Sequence, residues 1–574
     1  MTRDGSMPAG GLSSVGASPA YNPGESTARS AADPGCITMS RHRLLVSSIL
    51  MAAIGTAGAR AGDKAADSAA DAFFAGAEIP RIRVEVAQDQ LDKLKADQRN
   101  YVHATFREDD RVTFGDVALK LKGAAGSFRD WNDRPALTLN MHKFHKGGSY
   151  HGLEKFHLNN SAQDETCLNE LLSSELFRKA GVPAARVTHA RVWLNGRDVG
   201  LYVLKEGFDR AFLERSFPDP TGNLYDSGFL QDINANLEKD EGQGPDDRSD
   251  LKAIVGAAAD PDPASRRRRV EALVDLDAFC SFMAIERMTC HWDGYADKAN
   301  NYRLYFDPRS RKAVFLPHGM DQTFGETGMG LFDPTDRIVA AVVIKDDVLR
   351  RRYRRRVEAL IPLMSPADGL VRRVDEVERR LRPTIEAMGP GEVARRGQQV
   401  EGLKARLVAR AASLANQMSD PGQWPQEFDE AGAATLIGWR GVSEREGAVL
   451  EEGESGEGKK AILIRAGEGR PCVASWRRRV LLAPGDYTLI AEARTDRVVK
   501  LDDTDATGVG VGISGVPRVQ HLHGTVAGKA LSHRFQIRDG VKQVDLVLEL
   551  RARSGQVWFT RDSLRLVRET PAAR

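Results

Sequence analysis

The hydrophobic pattern changes character once along the chain, near Pro421, and that change limits the fold more than any other feature. From Asp346 to Met418 apolar residues recur at helical spacing between Arg and Glu, with a break at Gly389-Pro390. Beyond Pro421 short alternating runs take over: 460–465, 479–482, 487–493, 508–513, 533–537, 544–550 and 557–560. Turns such as Pro484-Gly485-Asp486 separate them, which predicts an all-β sandwich over 425–574 after a mixed body over 79–420. A chain of 574 residues, 41% hydrophobic and 28% charged, has room for both.

Within the body, Arg81-Ile-Arg-Val-Glu-Val predicts a strand, 89–96 a short helix, and Val117-Ala-Leu-Lys-Leu-Lys a second strand ending in the turn Gly123-Ala-Ala-Gly126-Ser127. Ala136-Leu-Thr-Leu-Asn is a further strand. Leu168, Leu171, Leu172, Leu176 and Phe177 predict a helix that stops at Gly181-Val-Pro183. Asn195-Gly196 between Ala190-Arg-Val-Trp-Leu and Gly200-Leu-Tyr-Val-Leu predicts a tight hairpin. Residues 231–268 are polar and read as a long loop, 270–290 as one helix, and Tyr302-Arg-Leu-Tyr-Phe with Ala313-Val-Phe-Leu as two strands.

The start of the chain reads as a leader. Met39, basic residues 41–43, an apolar stretch to Ala57 and Ala59-Arg60-Ala61 form a secretory signal over 39–61. Residues 1–38 are then an unstructured or misassigned start, and 62–78 a flexible lead-in. The apolar stretch is short of a membrane span, as is every later segment, so the mature chain is expected to be exported to the periplasm, cell surface or medium. Net charge is +2, which gives no general case for nucleic acid. The basic runs 266–269 and 350–356 read as solvated helix faces or as docking surfaces for an anion. Cys167, Cys280, Cys290 and Cys472 follow the leader without zinc spacing. Cys280 and Cys290, about 15 Å apart along one helix, cannot bridge, and buried free thiols are expected.

Two loops carry groups suited to chemistry: Cys290-His-Trp-Asp293-Gly, running to Asn300-Asn301-Tyr, and Pro317-His318-Gly-Met-Asp321-Gln-Thr-Phe-Gly325. An Asp, a downstream Asn and a second Asp across a hairpin are what phosphoryl transfer requires: one carboxylate takes the hydroxyl proton, and a carboxylate with an amide oxygen holds Mg²⁺. Taken alone, the spacing equally describes an Asp capping a turn and another in a β-turn. G-x-S-x-G and H-E-x-x-H are missing, and a glycosidase would need carboxylates facing across a cleft.

In order along 119–325, Gly123 to Ser127, Asp164, Gly181-Val-Pro183, Asn195-Gly196, Gly200-Leu-Tyr-Val-Leu-Lys-Glu206, Asp293-Gly294, Asn301-Tyr-Arg-Leu-Tyr305 and the 317–325 turn resemble the CotH kinase family. The resemblance implies an α+β chain with an atypical protein-kinase-like two-lobed domain, followed by the jelly-roll-like sandwich. It implies transfer of the ATP γ-phosphate to protein Ser or Thr with Mg²⁺ or Mn²⁺. It makes Asp293 the catalytic Asp, Asp321 the principal metal ligand and Asn301 the second, with Asn300 close behind. Nucleotide contacts would come from Gly123, Gly126, Ser127, Arg134, Lys205 and Glu206. Lys205 pairs with phosphate or, beside a hinge, faces solvent; the glycine turn covers phosphates or is a plain turn. Two positions depart from the family: Arg134 stands where a Lys pair is usual, and Gly319 replaces an Asp. These departures suit an alternative, a non-catalytic envelope protein that keeps the scaffold, with a glycan-binding sandwich. Trp439, Trp476 and Trp558 would form that glycan face, or the sandwich core. Asp502, Asp503 and Asp505 form a loose Ca²⁺-loop pattern. His142, His145, His151 and His157 read as ordinary strand and loop residues before metal ligands, and His318 as a neighbour of phosphate.

Overall fold

The computed structural model describes residues 61–569 apart from 110, 125, 456–457, 468, 503–506 and 518–519. The 1–38 segment and the signal at 39–61, except its last residue, lie outside the described residues, as do Asp503 and Asp505. Among the described residues no helix is long and apolar enough to cross a membrane.

The first half closes a barrel. Strands β1 (Arg81–Glu85), β2 (Val102–Glu108), β3 (Val112–Lys122), β4 (Ala136–Asn140), β5 (Lys155–Asn159), β6 (Val187–Leu194) and β7 (Arg197–Glu206) run in the order β1-β2-β3-β4-β5-β7-β6, and β6 returns parallel to β1. Asn195 and Gly196 take φ of 46° and 79°, the two left-handed residues of a tight hairpin turn. Alternation gives each strand two faces. Leu119, Leu121, Phe156, Leu158, Tyr202 and Leu204 fill the barrel, while Leu201 and Val203 of β7 pack on the outside into the helical core. The expected lead-in is instead helix α1 (Ala61–Ala75); it buries Ala70 in the barrel core and packs Phe73 beside it. Helix α2 (Gln88–Ala96) follows β1.

Helix α3 (Asn169–Lys179) packs in the helical core with Leu201 and Val203, and α4 (Arg210–Ser216) packs with Leu224, Tyr305, Val314 and Leu316. A second sheet, ordered β11-β10-β8-β9, holds β8 (Leu224–Asp226), β9 (Glu238–Glu241), β10 (Tyr302–Asp307) and β11 (Lys312–Pro317). The expected 231–268 loop contains β9, α5 (Ser249–Ala258) and the start of α6 (Pro263–Leu273). The expected 270–290 helix divides where Asp275 caps α7 (Leu276–Met288) by accepting from Ala278 N at 3.0 Å. Cys290 therefore lies beyond α7, at φ 56°, and Cys167, Cys280, Cys290 and Cys472 are all buried free thiols. Helices α8 (Tyr295–Lys298), α9 (Ile338–Lys345), α10 (Asp347–Leu360), α11 (Val371–Glu386) and α12 (Pro390–Ser419) complete the body; α12 begins at the expected Gly389-Pro390 break. Arg267, Arg352 and Arg354 of the basic runs serve structural pairs. Arg267 pairs with Asp346 at 2.8 Å, Arg352 with Glu271 and Asp277 at 2.6 Å each, and Arg354 stacks on Trp424 at 3.6 Å.

The C-terminal domain has its own core and is built from β12 (Ala433–Thr435), β13 (Arg440–Ser443), β14 (Ala448–Glu454), β15 (Lys460–Ala466), β16 (Cys472–Leu482), β17 (Gly485–Lys500), β18 (Gly508–Ile513), β19 (Gly524–Ile537), β20 (Lys542–Thr560) and β21 (Arg565–Arg568). The runs expected at 544–550 and 557–560 are one strand. Its first part pairs with β16 and β18, its last with β15 and β17, and Gly555 at φ 100° lies between. The architecture is thus α+β, a barrel-and-helix body followed by a separate β-sheet domain. Trp439 and Trp476 belong to that domain's core, with their indole N–H groups donating to Leu436 O and Leu463 O at 3.2 and 3.1 Å. Two of the three aromatics expected of a glycan face are therefore packing residues; Trp558 is half-buried under Arg494.

Candidate functional site

The outer faces of β3, β5 and β7 put Lys122, His157 and Lys205 on the side of the barrel that meets the helices. Lys205 is fully buried rather than solvent-facing, and its ammonium lies 2.5 Å from Glu170 Oε1 of α3. It also donates to His318 Nδ1 at 3.2 Å. The second Glu170 oxygen accepts from Met320 N at 3.0 Å. One carboxylate thus ties a barrel strand, helix α3 and the turn bearing Asp321 together.

Helix α3 grips that turn at two further points. Asn169 Nδ2 donates to the carbonyls of Asp321 and Thr323 at 2.9 and 3.0 Å, and Ser173 meets the Thr323 hydroxyl at 2.9 Å. Asp164 braces the start of α3, taking Thr166 N at 3.0 Å and Asn169 N at 2.9 Å.

The second loop converges on the same turn. Asn300 and Asn301 donate their amides to the two Asp293 carboxylate oxygens at 3.1 and 2.9 Å. Asn301 O accepts from His318 N at 2.9 Å. Gly319 has φ 54°, and a Cβ there would overlap Asn301 Oδ1. The carboxylate that the family pattern expects at 319 therefore has no room; the Asn301 amide fills that place. Behind the loop, Glu286 accepts Tyr295 N and Ala296 N at 2.8 and 3.0 Å, and burial pushes its carboxyl up to about 8. Cys290, Ala299, Asn301 and Phe324 all have positive φ, so the loops are held in conformations side chains rarely adopt.

The electrostatics are cationic above and acidic below. Burial, then the Lys205 charge, lower the Lys122 ammonium to about 8; it donates to Asn159 Oδ1 at 2.7 Å. Burial and the surrounding Lys and Arg charges hold His157 and His318 well below the usual imidazole range, so both are neutral. Burial, then the Glu170 and Asp164 charges, raise Asp321 to about 6.

The remaining expected nucleotide contacts divide. The glycine turn directly follows Lys122, with Gly123 and Gly126 at φ 104° and 84° and Ala124 N donating to Ser127 Oγ at 3.1 Å. A Cβ on Gly126 would stand 2.6 Å from Gln163 Nε2. Arg134 turns elsewhere, donating to Leu201 O and stacking over Tyr202. The Glu206 carboxylate is paired with Arg186 and Arg215 at 2.7 and 2.8 Å. The sequence reading missed Glu170, Lys122 and Asn169. A Lys ending an alternating strand just before a glycine turn was the available signal for Lys122; nothing local marks Glu170.

Among the described residues no three His, Cys, Asp or Glu side chains cluster as a metal cage. Mg²⁺ commonly takes one or two protein carboxylates and fills its shell with phosphate and water, so Asp321 with the Asn301 amide oxygen is a donor set of suitable chemistry.

The family described as CotH kinase protein matches residues 119–397. Invasin CotH2 of Rhizopus delemar is 24% identical over 306 residues, 50% of this chain and 47% of that protein. Invasin CotH7 of the same fungus is 26% identical over 183 residues, 30% of this chain and 31% of its own. The inner spore coat protein H of Bacillus subtilis is 22% identical over 265 residues, 42% of this chain and 72% of its own. The chain therefore spans less than half the length of the two fungal relatives. Among solved structures, TmCBM61 in complex with β-1,4-galactotriose covers 23% of the chain at 16% identity and TM-score 0.18, which carries no argument. Residues 119–397, which hold Lys122, Glu170, Lys205, Asp293, Asn301 and Asp321, belong to the CotH kinase protein family, and a distinct β-rich domain follows them.

Proposed function

We propose that the chain is an exported phosphotransferase that moves the ATP γ-phosphoryl group to a protein Ser or Thr hydroxyl. The buried Lys205–Glu170 pair, latched through Glu170 to the Asp321 turn, is the observation that carries this reading. Phosphoryl transfer is catalysed by positioning and charge stabilisation, and in protein kinases a Lys–Glu pair and a metal-binding Asp must both be in place. Here Lys205 and Lys122 hold phosphate oxygens from the barrel side. Asp321 and the Asn301 amide oxygen would hold Mg²⁺, which when bound would supply charge neutralisation at the phosphates. Asp293, oriented by two amides, accepts the proton of the attacking hydroxyl. Neutral His318 keeps its Nδ1 as an acceptor for Lys205, so the ammonium stays aimed inward.

The test is label transfer from γ-labelled ATP with Mg²⁺ or Mn²⁺, using the chain from Gly62 onward and casein or the protein itself as acceptor. Transfer should fall by about a hundredfold or more in Asp293→Ala, Asp321→Ala and Lys205→Met. No transfer together with no ATP heat by calorimetry would overturn the reading in favour of a scaffold that only binds. Gly319 is the residue that favours this second reading, since one family carboxylate is missing.

A further inference from the structure

A cavity of about 880 Å³ lies at the seam between the helical body and the β-domain, away from the site described above. Helices α5, α6 and α9 form one wall; the β19–β20 turn, 538–543, forms the other. The two are pinned by Val541 N donating to Lys345 O at 2.7 Å, and Gly540 sits so close to Lys345 that a Cβ would stand 2.9 Å from its Cβ. The lining is aliphatic: Val255, Ile338, Ala341, Val342 and Val541, with Phe332 the only aromatic ring among the lining residues. That size and lining are those of a small-molecule site rather than a packing defect.

The charge on the lining is one-sided. Arg266, Lys345, Arg350, Arg538 and Lys542 face a single carboxylate, Asp539. Arg350 is 3% exposed, and the Asp333 charge reaches it only at a distance, with no ion pair between them among the described residues. Its Nη1 donates to Phe332 O and Ile344 O at 3.4 and 3.3 Å, its Nε has no partner, and it stacks on Phe332 at 5.2 Å. Burial lowers it to about 10. A buried guanidinium whose hydrogen-bond partners are carbonyls, with Asp333 only at longer range, favours the approach of a further anion. An aliphatic chamber lined by five cations and one carboxylate fits an alkyl chain with an acidic head.

We propose that this seam cavity binds a long-chain carboxylate, its alkyl chain among Val255, Ile338, Val342 and Val541 and its head among the Arg350, Lys345, Arg538 and Lys542 charges. The inference is independent of phosphotransfer. Titration calorimetry of the chain from Gly62 onward tests it with dodecanoate, dodecyltrimethylammonium and butyrate, each below its micelle concentration. Dodecanoate should bind saturably at one per chain, the ammonium roughly tenfold or more weaker, and butyrate without measurable heat. Ala341→Trp, which fills the chamber, should abolish dodecanoate binding. Arg538→Glu with Lys542→Glu, both exposed, should weaken it roughly tenfold with thermal stability unchanged, and this pair decides the matter if the Trp variant does not fold. Non-saturable heats, equal binding of the ammonium, or full binding to the charge-reversed variant would overturn the proposal.

Discussion

Glu170 has two oxygens and two employers: Lys205 and the Met320 amide. Glu170→Gln would leave the Lys205 ammonium buried without a counter-charge, at an expected cost of about 3–5 kcal/mol in urea unfolding. Glu170→Gln should also lose label transfer; a variant as stable and as active as the parent would refute the latch. Gly319 supports a sharper expectation. Restoring the family carboxylate by Gly319→Asp should lower activity rather than raise it, because the new Cβ displaces Asn301 from Asp293. A drop in urea stability of about 1–3 kcal/mol should accompany it, and a gain in label transfer would contradict the packing argument.

At the scale of elements, α7 and the Asp293 loop are coupled through Glu286. Its folded carboxyl, pushed up to about 8, keeps a proton that the unfolded chain releases near 4.5. Its contribution is therefore fully present below 4.5 and is lost as pH rises through about 8, by up to about tenfold in the folding equilibrium per pH unit. Glu286→Gln removes that slope, so its urea midpoint relative to the parent should climb between pH 5 and pH 8; a constant difference would refute the assignment. Much of the element map was legible. The 168–177 periodicity became α3, Asn195-Gly196 became its hairpin, and Gly389-Pro390 opened α12, because each signal is local. Helix α5 escaped because its buried residues, Leu251, Ile254 and Ala257, are set within the polar 231–268 stretch. The split of β20 was misread because Gly555 resembles a turn when its partners on two neighbouring strands are unknown. The Asp293 and 317–325 loops were singled out by position and by the family resemblance, and the structure brings them together at His318 and Asn301; Glu170 was not, since its contact with Met320 spans 150 residues.

Over the whole molecule, the helical body and the β-domain keep separate hydrophobic cores. Calorimetry should resolve two unfolding events, and nucleotide should move only the one belonging to the body, by about 2.7 kcal/mol at a hundred times its Kd. An equal shift of both would mean that the seam at Lys345 and Val541 couples them. Strand β7 is different: its Leu201 and Val203 serve the helical core, its Tyr202 and Leu204 the barrel, and both its edges are hydrogen-bonded. Its amide protons can reach water only when two cores part at once, so Val203, Leu204 and Lys205 should be among the last to exchange into deuterium. The residue that carries the proposed phosphate contact would thereby be mounted on one of the slowest-exchanging strands of the body, and substrates must come to it while it stays still.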